Sequence, residues 1–103
     1  MTHPTINTAV TQTSPGIFVL DRSSQGSFTV ALVGRADADL NAALHRHVGG
    51  YRFFKYAYYP SAQDAFEAEC HLFHDHDPVD NPGHPENQFS WKCPRCEATT
   101  SAI

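Results

Sequence analysis

Two cysteines near the end of the chain constrain it more than any other feature. Cys93-Pro94-Arg95-Cys96 has the Cys-x-x-Cys spacing of a zinc knuckle. In such a knuckle a tight turn aims both sulfurs at one point, and Pro94 stiffens that turn. Upstream, Cys70 and His74 stand four residues apart in a helical stretch, so both project from one side of it. Three thiolates and one imidazole make a common closed tetrahedral set, and the expected ligands are Cys70, His74, Cys93 and Cys96. His71, His76 or His84 can stand in for His74 on composition alone. Soft sulfur favours zinc over magnesium or calcium. Four protein ligands leave no open position, so the expected role of the zinc is structural, supplying folding energy to the tail. The competing readings are a redox pair at Cys93 and Cys96, with Cys70 as core filler.

The totals fit a small domain that profits from such a staple. The chain has 103 residues, 41% of them hydrophobic, with seven Phe, four Tyr and one Trp. That is room for one modest core. Three cysteines do not suggest a disulfide framework. No apolar run approaches the roughly 18 residues of a membrane span, and no basic, apolar leader opens the chain, so the expectation is a cytoplasmic protein without a membrane partner. The formal charge of −4 argues against a general nucleic-acid coat. The charge is uneven, however. Residues 22–55 carry five basic side chains against two acidic ones, and residues 56–103 carry two against eight. A basic middle can meet phosphate locally.

Periodicity predicts a small α+β fold, a three-stranded antiparallel sheet flanked by helices with a zinc-stapled C-terminal loop. Residues 1–14 are Thr-rich and are expected to form a disordered tail. Residues 15–98 are expected to form a single domain that includes a zinc-binding extension over 77–98. Ile17–Leu20 reads as a short buried strand, the DRSSQG stretch from Asp21 to Gly26 as a polar loop, and Ser27–Val33 as a second strand pairing in a hairpin. Asp37-Ala38-Asp39 opens a helix that Gly49-Gly50 stops. Tyr51–Tyr59 is an aromatic third strand ending at Pro60. Ser61, with Asp64 three residues on, caps a helix that Asp77-Pro78 ends. The Pro-rich segment that follows needs something to pin it.

Glu69 is out of place on that last helix. Ala65, Phe66, Leu72 and Phe73 surround it at helical spacing, and a carboxylate there is costly unless a cation or donors meet it. A ligand for a divalent metal and a partner for an arginine or backbone amide are the two readings.

The order strand, strand, helix, strand, helix, with Gly16-Ile17-Phe18 opening the first strand and Leu32-Val33-Gly34 closing the second, resembles the GIY-YIG nuclease domain. The likeness covers residues 15–76 and extends to Leu44-His45-Arg46-His47 and to the pair Ala65 and Glu69. It implies a phosphodiester-cutting scaffold in which Glu69 holds Mg2+ or Mn2+, with Arg35 and His47 as the further catalytic candidates. The family's tyrosines are replaced by Phe18 and Leu32, and its helix arginine by Ala43. Arg35 or Arg46 can substitute for that arginine, and Tyr51 or Tyr56 for a tyrosine. Losing even one phosphate-stabilising donor costs roughly 10²–10³ in rate. The resemblance therefore implies a degenerate scaffold acting as a binding module for DNA or a protein, with Arg35, Arg46, Arg52 and Lys55 facing phosphate. The alternatives are an active metal-dependent DNA endonuclease and a regulatory domain for a protein partner.

Overall fold

The structure, a computed structural model, describes residues 1–22 and 27–96; Ser23 to Gly26 of the expected polar loop, and residues 97 and 98 of the expected extension, lie outside the described residues. It is α+β. The elements run α1 (His3–Ala9), β1 (Gly16–Asp21), β2 (Leu32–Ala36), α2 (Leu40–His45), β3 (Phe53–Tyr58) and α3 (Ala62–His76). The three strands form one antiparallel sheet in the order β2-β1-β3.

β1 is central and buried throughout, as a short apolar run between two partners must be. Strand alternation then sorts the side chains. Phe18, Leu20 and Ala36 join Leu40, Leu44, Ile6 and Val10 in the main core, with Phe54, Tyr56 and Tyr58 packed against it. α1 and α2 cover this face. The opposite face carries Ile17 and Arg35 and is covered by α3 across β1 and β2. Phe18 lies opposite Gly34 in the β1–β2 ladder. A Cβ on Gly34 would sit 2.2 Å from the Phe18 ring, so the glycine is where that ring finds room.

Three expectations are corrected. The first residues are not a floppy tail. Thr2 caps α1, accepting from the Thr5 N–H at 3.2 Å, and Ile6 and Val10 are fully buried. A helix this short owes its stability to packing. Ile6, Ala9 and Val10 recur at helical spacing, and two tyrosines of β3 hold the segment down. The Tyr56 hydroxyl donates to the Ala9 carbonyl at 2.7 Å, and the Tyr58 hydroxyl accepts from the Thr11 N–H at 3.1 Å. Second, β2 covers Leu32–Ala36 rather than Ser27–Val33. The buried Asp21 carboxylate accepts from the Thr29 N–H at 3.1 Å, which turns the chain away from the ladder before Leu32 meets Leu20. Third, α2 ends at His45, short of Gly49-Gly50, where Gly49 turns with φ 96°. α3 runs as its caps predict. Ser61 accepts from the Asp64 N–H at 3.1 Å, and Asp77 ends the helix in the left-handed region at φ 44°.

Candidate metal centre

α3 delivers His74 in its last turn, where the helix leaves the core. The chain then runs through a segment we call the strap, residues 77–92, and turns back at Cys93. Residues 94–96 form one helical turn, with Pro94 at its start. His74, His84, Cys93 and Cys96 meet there, one ligand atom from each, all within 4.8 Å of one another. The His74 Nε2 lies 3.4 Å from the Cys93 sulfur and 3.3 Å from that of Cys96, and the His84 Nε2 lies 3.3 Å from Cys96. Zinc–sulfur bonds of about 2.3 Å and zinc–nitrogen bonds of about 2.0–2.1 Å at tetrahedral angles put sulfur and nitrogen roughly 3.5 Å apart. The three sulfur–nitrogen separations match the corresponding edges of such a tetrahedron.

The orientation of His84 fits the same purpose. Its Nδ1–H donates to the Pro85 carbonyl at 2.8 Å, so the lone pair sits on Nε2, which faces the sulfurs. A carbonyl fixing the tautomer in this way is the usual companion of a ligating histidine. The thiols differ in kind. Burial alone would raise the Cys93 thiol, but donors from the Cys96 backbone, Cys70, His84 and the Arg95 backbone bring it down to about 6. Burial pushes the Cys70 thiol up, and its bond to Cys93 raises it further.

The sequence-derived set is therefore altered at one position. Cys70 stands outside the four. It is fully buried against Phe66 and Cys93, one turn deeper along α3. His84 takes its place beside His74 instead of replacing it. Neither His71 nor His76 belongs to the cluster. The signal for His84 was its position between Gly83 and Pro85 in a segment that needed anchoring.

Side chains fasten the strap along its length. Asn87 bridges its own turn, accepting from the N–H groups of Phe89 and Trp91 and donating to the Trp91 carbonyl, all at 2.9 Å. Trp91 packs on Phe66 of α3. Asp80 accepts from Arg22 at 2.8 Å and from the Tyr51 hydroxyl at 2.9 Å. Arg95 pairs with Asp75 at 2.6 Å, but both are substantially exposed, so that pair contributes little.

Glu69 and Arg35 meet on the α3 face. The Arg35 guanidinium donates to Glu69 at 2.7 Å, to Asp37 at 2.6 Å and to the Glu86 carbonyl of the strap at 2.8 Å, and it lies over the Phe66 ring. Burial opposes the charge on Arg35, but Asp37 and Glu69 outweigh it and raise its affinity for the proton. Burial lifts the Glu69 carboxyl to about 7, against the pull of Arg35. Among the described residues Glu69 belongs to no cluster of metal-ligating groups. His47 does not join them. It packs against Phe18 and Tyr51 in the α1–α2 layer, where burial and Arg46 lower its affinity for a proton.

Of the four residues expected to face phosphate, Arg35 is spent on these internal partners. Arg46, Arg52 and Lys55 are exposed. Arg52 lies over the ring of Phe53, itself half exposed, and Lys55 lies over that of Phe28. Among the described residues no helix is long and apolar enough to cross a membrane. No protein-family model matches the chain, and no curated protein is similar to it.

Proposed function

We propose that this chain is a zinc-stapled binding module, a GIY-YIG-like scaffold whose nuclease chemistry has been lost and whose basic, aromatic end of β3 contacts nucleic acid. The observation that carries the zinc is the convergence of His74, His84, Cys93 and Cys96, with three sulfur–nitrogen separations of 3.3–3.4 Å. Two thiolates and two imidazoles suit zinc, and four protein ligands make the site structural, with no position left for water or substrate.

Energetics favour the same role. Ordering a chain segment costs on the order of 1–2 kcal/mol per residue in backbone entropy. The strap buries little in return: Val79 is 80% exposed and Phe89 57%. Its hydrogen bonds are worth about 1 kcal/mol each. Structural zinc supplies about 10–16 kcal/mol, the same order as what those bonds leave uncovered. Purified chain should carry one zinc ion. Chelation should lower the Tm by on the order of 10 °C or more. A metal-free chain that melts unchanged in chelator would refute the staple.

The loss of nuclease chemistry rests on the Arg35–Glu69 pair. A guanidinium already holds the carboxylate that Mg2+ or Mn2+ would need, and the family's tyrosines are Phe18 and Leu32. Incubation with linear and branched DNA plus either ion should yield no cleavage. Cleavage that Glu69→Ala abolishes would restore the endonuclease reading. For binding, exposed cations over aromatic rings, one of which, Phe53, is itself half exposed, suit a phosphate backbone with stackable bases. Arg52→Ala and Lys55→Ala should each flatten the slope of log affinity against log salt by about one. Binding without salt dependence would point to a protein partner instead.

A further inference from the structure

β2 is an edge strand, and its free edge is not bare. The Asn81 side-chain amide works there as a one-residue strand. Its Oδ1 accepts from the Val33 N–H and its Nδ2 donates to the Val33 carbonyl, both at 2.9 Å. One residue earlier, the Asp80 N–H donates to the Ala31 carbonyl at 2.9 Å. These are the groups that a neighbouring strand would engage.

The edge has little protection of its own: the one charge on β2, Arg35, is held by Asp37, Glu69 and the Glu86 carbonyl of the strap. Ala31-Leu32-Val33-Gly34 contains neither a charge nor a proline, the devices that normally keep strand edges apart. Protection is delegated to the strap, and the strap is moored by the metal centre at three places. His74 precedes it, His84 interrupts it, and Cys93 and Cys96 follow it.

We propose that the metal centre controls access to the β2 edge, and that the metal-free chain pairs through it with a second copy of itself. The inference rests on the zinc reading above. An antiparallel β2–β2 pair is two-fold symmetric, so the groups that Asn81 vacates on Val33 meet the same groups on the copy. Leu32 and Gly34 add no charge to oppose that approach.

The test follows the Val33 amide by hydrogen exchange and the molar mass by light scattering, on the full chain. Zinc-loaded chain should be monomeric with the Val33 amide protected. After chelation, molar mass should double as concentration rises, and exchange at Val33 should slow with it. Asn81→Ala, which touches no ligand, should keep one zinc per chain yet exchange at Val33 about tenfold faster or more. A chelated chain that stays monomeric with Val33 protected would overturn the proposal, as would aggregates in which Val33 gains no protection. Should chelation unfold the whole sheet, the zinc-loaded Asn81→Ala variant decides: unchanged exchange at Val33 overturns it. Purified chain without zinc would instead sink the metal reading, and the Asn81 variant would still report on the strap.

Discussion

Cys70 and His84 show how finely a metal set is decided. Helical spacing made Cys70 the natural partner of His74, and that spacing is real, since both lie on α3. Depth separates them. Cys70 faces the small core around Phe66, and His74 faces the returning strap, where His84 arrives. No local pattern in the sequence encodes that depth, because it depends on where the strap lands. Cys70→Ser should therefore retain one zinc per chain with a modest loss of stability, whereas His84→Ala should weaken zinc binding by at least about tenfold, as competition with a chromophoric chelator would read. The Glu69 carboxyl gives a second residue-scale prediction. Its affinity for a proton rises from an ordinary 4.5 to about 7 in the folded chain, so the folded state holds the proton more tightly than the unfolded one. Its contribution is fully present below 4.5 and fades as pH rises through 7. Stability of the wild type relative to Glu69→Gln should thus fall between pH 5 and pH 8 in chemical denaturation, the metal ligands being common to both proteins.

At the scale of elements, the strongest local signals were the most legible. Ser61 and Asp64 start α3, and Asp77-Pro78 ends it, as their chemistry dictates. The buried run Ile17–Leu20 became the central strand. β2 was displaced because Ser27–Val30 has strand-like residues but no ladder to join: Asp21 captures the Thr29 N–H instead. α1 was missed because Ile6, Ala9 and Val10 are a thin signal within a polar stretch, and only contact with α2 and the tyrosines of β3 makes it a helix. Removing residues 1–10 exposes that part of the core and should cost several kcal/mol, on the order of 3–5 for two large buried side chains. Gly34→Ala places a methyl into the Phe18 ring and should destabilise by about 1–3 kcal/mol in urea unfolding.

Over the whole molecule, the sheet separates two tasks. The α1–α2 layer holds the larger core, while the α3 layer gathers the charged and sulfur-bearing groups: Glu69 with Arg35, and the ligand cluster beyond them. Arg35 links them, since one arm of its guanidinium holds Glu69 and another the Glu86 carbonyl of the strap. The α+β class and the tail-to-helix clip could be read from residue types and spacing. The route of the strap across β2 could not, because it depends on Asn81 finding Val33 across nearly half the chain.

That separation in sequence has a consequence for biosynthesis. Ribosomes make β2 before they make the knuckle, so every nascent chain passes through an interval in which that strand exists and the residues that cover its edge do not. On the proposed zinc reading, scarcity of the ion would lengthen that interval, and the damage would fall on newly made molecules, sparing those already closed.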